Sequence, residues 1–444
     1  MSDTTVAGTE LTPPTAEWVE AVSAQYDEPV WLRDARLAAL QQYNALSWPS
    51  GQEETWRRTP LEGLPLESWR MAMAGGLPAV AVGLIGSERA GLLSHHDKGA
   101  SELAEKAAKR GVIFAPLSQA AREHEALVRT HLGSLVNPDL AAVGHARLVA
   151  LSAALWTQGL FCYVPKDVAI EQPLYHLMTK TGEAAGLFTH TLIVAEAGSQ
   201  FTLVEVGASD PIPGANEASL VQRTIEVVGG DGSRVDLMQL NRWGDDVVAF
   251  ASAGGKLGRG SQATWGSAAF GGRLHKEQVS FEIGSDGSHF DLLGVFVGTG
   301  SQHIEHITHQ LHDTEGGSSE LIIKGALDGD SRAVQYGTIH ITPAGQRTAA
   351  QQTMRNLLLS DGASADPIPI LEIEADDVKC AHAAAVGPVD PEQRFYLESR
   401  GIDPANAERL IVQGFLTAAV DRLPDAHTRE VITDLVNRHL GGGA

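Results

Sequence analysis

The sequence predicts a mainly β protein whose central sheets are flanked by helices at both ends. Three observations carry that reading. Short runs with apolar residues at alternate positions, separated by Gly, Asp, Asn and Ser, fill the chain from about Gly159 to about Glu374. Glycine is abundant, with 47 copies in 444 residues, whereas aromatic residues make up only 6%; this favours many tight turns over a long helical bundle. Helix start and stop signals cluster before and after the central stretch. The strands follow one another without intervening helices, so a sandwich, a barrel and a β-helix all remain open.

The elements follow in order. After a polar tail, MSDTTVAGTELTPP, expected to be mobile, residues 16–46 read as two helices. Trp18, Val19 and Val22 lie at helical spacing in the first, and Leu32, Ala35, Leu37, Ala39 and Leu40 in the second. Trp48-Pro49 stops the second, because a residue before proline disfavours the α conformation. Residues 103–111 and 117–133 look helical, and 140–157 form an amphipathic helix rich in Ala and Leu. Strands then run from LFTHTLIVAEAG through VSFEIG, HFDLLGVFVG and AVQYGTIHI to PILEIEADD. Beyond them, Asp390 caps a helix with Pro391 in its first turn, and Gly401 suits the left-handed residue that ends it. Asp403-Pro404 repeats the start signal for a helix over 405–423, whose apolar face is broader than one packing contact needs. A third helix, 428–440, precedes a flexible GGGA end. The expected division is therefore 1–158 mostly helical, 159–375 β-core and 376–444 helical.

Composition narrows the function. A formal charge of −22 without a basic stripe excludes a nucleic-acid surface. Cys162 and Cys380 lie too far apart in sequence for a disulfide framework. The N-terminus lacks the basic and apolar regions of a secretory signal, and the longest apolar run, 77–85, is far short of the roughly 20 residues that span a bilayer. A reducing, cytoplasmic setting with free thiols is the expectation, with no membrane contact. No GxxxxGK[ST], GxSxG or HExxH occurs, so none of those catalytic machineries is present. Gly229-Gly230-Asp231-Gly232 and Gly254-Gly255 lack a following helix pattern and read as turns. Asp376-Asp377 reads as a capped or solvated junction.

The chemistry concentrates in residues 376–402, DDVKCAHAAAVGPVDPEQRFYLESRGI. Cys380 stands two residues from His382. In an extended segment, residues i and i+2 share a face about 6.6 Å apart, so thiolate and imidazole can approach one soft or borderline metal. Two ligands are too few to enclose an ion or a cluster, which points to a site shared across a subunit interface. The competing reading is a buried thiol and a hydrogen-bonded histidine at a domain junction. His303, His306, His309 and His312 resemble a metal ladder, but spacing of three in a strand alternates faces. Same-face members would be about 20 Å apart, so a four-histidine zinc site is not expected. Cys162, in the apolar FCYVP, reads as a buried structural thiol.

The stretch ADDVKCAHAAAVGPVDPEQRFYLESRGI resembles the C-terminal signature of the SufB/SufD family of iron–sulfur cluster assembly proteins, specifically the SufD branch with its ADDVKCSHGATVG and FYLRSRGI. Ala381, Ala383 and Ala385 replace the usual Ser, Gly and Thr, while the Cys-x-His pair is intact. The SufB branch carries Glu-His-Glu there. EPVWLRDARLAALQQYNALSWP and FCYVPKDVAIEQPL resemble the family's entry helix and first core strand. The resemblance implies a right-handed parallel β-helix flanked by helical domains. It implies a scaffold subunit, not an enzyme, that pairs with SufB and binds the ATPase SufC through its C-terminal helices. His382, with Cys380, would then help build a transient iron–sulfur cluster shared with SufB. Phe395, Tyr396, Arg400, Leu410, Ile411, Phe415 and Leu416 would meet SufC. The family's paired β-helices also make a homodimer of the isolated chain plausible. The rivals are a SufB-like sulfur-accepting homodimer and a secreted β-helix enzyme acting on polysaccharide; the missing signal peptide and the signature argue against the latter.

Overall fold

In-register neighbours of the central region lie 29 residues apart, as in Leu274, His303 and Arg332. This spacing winds the chain into coils, each contributing one strand to each of two parallel sheets. The computed structural model describes residues 13–441 except 68, 73–74, 97–99, 142–144, 216 and 285. Most of the expected N-terminal tail and of the GGGA end lies outside the described residues. One sheet runs from Gln158–Val164 through Ala185–Ala195, Ser219–Gly229, Val247–Leu257, Leu274–Ile283, His303–His312 and Arg332–Ile341 to Ser364–Ile373. The other runs from Leu174–Thr179 through Gln200–Ala208, Arg234–Trp243, Gln262–Gly271, His289–Gly298, Ser318–Leu327 and Ala349–Leu358 to Lys379–Pro388. This is a parallel β-helix of eight coils among the described residues. Alternation sends one row of each strand into the lumen, where Ile225, Val279, Phe281, Leu292 and Ile304 form the main apolar core.

The start of the solenoid is closed. Ile113–Pro116 pairs antiparallel with Gln158–Val164, and Ser101–Leu103 pairs antiparallel with Gly91–Ser94, which itself extends the second sheet. The N-terminal 158 residues are therefore not a separate helical unit, because four of their strands join the sheets. Helix is correspondingly shorter than the periodicity predicts. The 103–111 helix shrinks to Glu105–Ala108, the 117–133 helix breaks at His124, and the 140–157 helix begins at Ala146. Strand pairing on both sides of Glu105–Ala108 overrides its propensity there. The helices Ala16–Gln25, Val30–Ala45 and Ala146–Leu155 cover the first sheet, with Trp18, Leu40, Tyr43 and Leu151 packed around Phe188 and Phe250. Arg36 is buried there, paired with Glu28 at 2.6 Å and lying 3.9 Å over the Trp156 ring.

At the other end the strand Lys379–Pro388 belongs to the solenoid, so the expected boundary at 375/376 falls inside the β-core. The helices Pro391–Ser399, Pro404–Val420 and Ala426–Leu440 follow. Asp390, Asp403 and Asp425 each accept a first-turn backbone N–H, at 2.9, 3.1 and 2.7 Å. Gly401 has φ +87°, as its position after the first helix requires. These helices do not cover the end of the sheets. They fold back along the flank of the second sheet, where Val412, Leu416 and Ala419 pack with Leu293, Val295 and Ala326. Lys324 Nζ donates to the Phe415 carbonyl at 2.8 Å, and Arg422 reaches Glu320 at 2.9 Å. Gly254-Gly255 is also corrected: it lies within the strand Val247–Leu257.

Candidate functional site

Because the helices turn back, the last coil is left open. Ser364–Ile373 pairs only with Arg332–Ile341, and Lys379–Pro388 only with Ala349–Leu358. Neither has a strand on its outer edge among the described residues. Pro367 and Pro369 lie within the first edge, and a proline in a sheet is confined to edges because it cannot donate to a ladder. The second edge, KCAHAAAVGP, has no charge after Lys379 and no proline before Pro388. Residues 381–386 are all exposed, with Val386 at 40%. A flat, apolar, unprotected edge of this kind is a template for another chain.

Cys380 and His382 lie on that strand. Ala350 and Gln352 of the preceding coil are buried and stand in register with them, so both continue the lumen-facing row. Cys380 is half-buried against the apolar cluster of Ile339, Ile341, Ala350 and Ala375. Burial pushes its thiol up, and a hydrogen bond from the Ala350 backbone only partly offsets this. Left to itself, Cys380 is a thiol at neutral pH and needs a metal or a partner's positive charge to become a ligand. His382 is exposed. A shallow groove of about 480 Å³ opens beside Cys380, lined also by His289, Ser318, Glu320, Gln351 and Lys379. Of the cysteines, Cys162 lies fully buried among Phe114, Leu160 and Ile193. Burial first, and then the charge of Glu205, raise its thiol, which keeps it protonated.

The expected partner face divides. Phe395, Tyr396 and Leu410 are exposed by 71, 57 and 43%. The helix Pro391–Ser399 has no buried residue, and Arg400 lies 5.2 Å over the Tyr396 ring. Arg394 ties this helix to its neighbour through Glu408 at 3.5 Å. Ile411 and Phe415 are half-buried. Leu416 is fully buried against the sheet, which removes it from the face open to a partner.

The histidine run does not form one site. His303 is held by Glu305 at 2.5 Å and His312 by Ser319 at 2.9 Å. His306 instead faces His275 and Glu277 of the neighbouring coil, a grouping that the local spacing did not reveal. The 29-residue coil length is the signal that finds it, because it sets His306 opposite Glu277.

The family model for the SUF system FeS cluster assembly SufBD core domain matches residues 176–415, which include both the open strand and the lumen histidines. The model for the SufBD protein N-terminal region matches 96–175. The chain belongs to the SufB/SufD family. Within that family, it is 30% identical to the iron–sulfur cluster assembly protein SufD of Bacillus subtilis over 432 residues, covering 96% of this chain and 97% of that protein. It is 24% identical to SufB of the same organism over 438 residues, covering 94 and 91%. A chloroplastic SufBD family protein of Arabidopsis thaliana is 27% identical over 331 residues, 73% of this chain and 58% of that protein. A parallel β-helix with helical flanks is thus the frame on which this SUF-system family member carries its Cys-x-His strand. Among the described residues, no helix is long and apolar enough to cross a membrane.

Proposed function

We propose that this chain is the SufD-like subunit of a cytoplasmic scaffold in which SufB, SufC and this protein build nascent iron–sulfur clusters. The observation that carries the proposal is the open last coil, where Cys380 and His382 stand on an exposed apolar strand edge. SufB docks on that edge and supplies the thiolates that two ligands from this chain cannot provide. The iron and sulfide are cargo, held transiently at the interface. The chain itself contributes a ligand or proton-handling imidazole at His382 and a second donor at Cys380, and it turns over no substrate of its own. SufC docks on the exposed face of Phe395, Tyr396, Arg400 and Leu410, with Ile411 and Phe415 at its margin. ATP-driven approach of two SufC copies then pulls on the SufB contact and opens the site.

A second reading rests on the same edge. An apolar strand can also pair with its own copy across a two-fold axis, giving a homodimer in a SufB-like manner.

The test is co-expression with SufB and SufC, followed by anaerobic purification and assay of iron and acid-labile sulfide, wild type beside His382→Ala. An intact complex with reduced cluster content in the variant supports the shared site. Unchanged loading removes His382 from it, and failure of the three chains to co-purify overturns the assignment. A homodimer carrying persulfide after incubation with a cysteine desulfurase favours the second reading.

A further inference from the structure

We propose that His275, Glu277 and His306 form a binding site for one divalent first-row transition-metal ion inside the lumen of the β-helix. His275 and Glu277 point inward from the strand Leu274–Ile283, and His306 stands in register with Glu277 on the next coil. Two coils lie between that strand and the open last coil, three strand spacings or about 14 Å along the solenoid, so this centre is distinct from the Cys380 and His382 strand.

Four features make it a ligand set and not merely a polar patch. One donor atom from each residue lies within 4.8 Å of the other two, and all three residues are buried. Both ring nitrogens of His275 and both of His306 lack a hydrogen-bond partner while being 3 and 1% exposed. Buried polar atoms are almost always satisfied, so two unpartnered rings, each with one nitrogen grouped with the same carboxylate, call for a ligand. His306 Nε2 stands 3.8 Å from Glu277 Oε2. That is too long for a hydrogen bond, yet only slightly wider than the roughly 3.0–3.5 Å between neighbouring donors about 2.1 Å from a shared ion. The surroundings are fitted to the task. Ser267 Oγ donates to Glu277 at 2.8 Å, as an outer hydrogen bond to a ligating carboxylate does. Phe296 stacks on His306 with ring centroids 5.5 Å apart, fixing the ring and keeping the site dry.

Protonation agrees with the geometry. Burial, with the His306 and Arg223 charges behind it, brings His275 down to about 3, and burial brings His306 down to about 4. Both rings are therefore neutral at physiological pH, with a lone pair to give. Burial also raises Glu277 against the Ser267 hydrogen bond and the Arg223 charge, and a bound cation would favour its carboxylate form. Arg223 nearby makes its ion pair with Glu205 at 3.0 Å and none with Glu277 among the described residues. Two imidazoles and one carboxylate are borderline donors. They suit Fe²⁺, Co²⁺ or Zn²⁺ over Mg²⁺ and Ca²⁺, which take oxygen, and over Cu⁺, which takes sulfur. Three protein ligands leave a coordination position open.

Cobalt is the probe. The full chain is produced in defined medium containing cobalt chloride, so that the ion is present as the lumen closes, and any affinity tag is removed. Metal per chain, the visible spectrum and the proton NMR spectrum are then recorded. The expected result is one Co²⁺ per chain, visible d–d bands and hyperfine-shifted signals from two imidazoles. His306→Gln and the near-isosteric Glu277→Gln should each lower cobalt content at least about tenfold, the size of loss that even outer-shell changes produce, with unchanged far-ultraviolet circular dichroism. A Cys380→Ser, His382→Ala double variant should keep the ion, which separates this centre from the cluster site. Cobalt-free wild-type protein, cobalt retained in both single variants, loss of cobalt in the double variant, or absence of the imidazole signals would each overturn the proposal.

Discussion

Cys380 and His382 share the lumen-facing row of a strand that has no further coil above it among the described residues, and their chemistry follows from that position. The strand alternation read from the sequence places them on one face, while the apolar cluster of Ile339, Ile341 and Ala350 sets the thiol's protonation. Burial raises the Cys380 pKa, so its thiolate fraction at neutral pH is below that of a free cysteine. Maleimide labelling of the native protein, followed by mass spectrometry, should modify Cys380 slowly at pH 7 and faster as pH rises. Cys162, fully buried, should stay unmodified until the chain unfolds. Rapid labelling of Cys162 in the folded state would contradict its structural role. The pair was legible because its signature is local. His275 and Glu277 were not, because their relation to His306 exists only once the coil length is known.

At the scale of elements, strands and caps were readable from local pattern. Two of the three C-terminal helices begin at Asp-capped sites that the sequence marks by Asp390-Pro391 and Asp403-Pro404, whereas the third starts at Ala426 on an Asp425 cap, two residues before the expected 428. Glycine was harder to read. Its abundance suggested turns, yet several glycines lie within strands, where a ring from the adjacent coil occupies the space a side chain would take. A Cβ on Gly255 would lie 2.0 Å from the Phe281 ring, and one on Gly325 would lie 2.1 Å from Phe296 and 2.8 Å from Asn356 Oδ1. Such close approach is a tertiary property with no local signal. Gly325→Ala should therefore destabilise the chain by about 1–3 kcal/mol through overpacking, seen as a lower denaturation midpoint in urea. An unchanged midpoint would mean that the Phe296 ring moves aside freely. The direction of the C-terminal helices was equally hidden. Their apolar face was visible, but whether it met the end or the flank of the sheets depended on where the chain turned after Pro388.

For the whole molecule, the buried ionisable groups set the response to acid. Burial works to raise Glu205, but hydrogen bonds from His176 and Thr191 and the charge of Arg223 outweigh it and hold the carboxyl at about 2. Glu305, opposed by burial in the same way, is brought to about 2 by His303 and Lys276. A carboxylate depressed in the folded state stabilises above its ordinary value of 4.5, and that stabilisation is lost as pH falls toward 2. His275, His306 and His312, lowered by burial to about 3, 4 and 4, act in the same direction. Unfolded histidines take up protons below 6.5 while these stay neutral, so acid favours the unfolded chain. Glu277, raised by burial, opposes this over its own range. The net expectation is a thermal midpoint that falls steadily from pH 6.5 to 4, measured by calorimetry; a flat profile would contradict the buried, neutral histidines. Association is expected to depend on the exposed edge. Ala383 points away from the lumen row and is exposed, so Ala383→Lys should leave the fold intact yet weaken docking, measured by light scattering and by pull-down with SufB. Unaltered association would place the interface elsewhere.

The open last coil has one more consequence. In a stack of coils, each is held only by its neighbours, so the terminal one is held from a single side and frays first. Backbone amides of Lys379–Pro388 will exchange with solvent sooner than those of His289–Gly298, in the middle of the same ladder. A partner strand at that edge turns the terminal coil into an interior one and slows its exchange. On the proposed reading, the Cys-x-His strand would become fully ordered only within an assembly, and cluster building would be confined to the moment when both halves are in place.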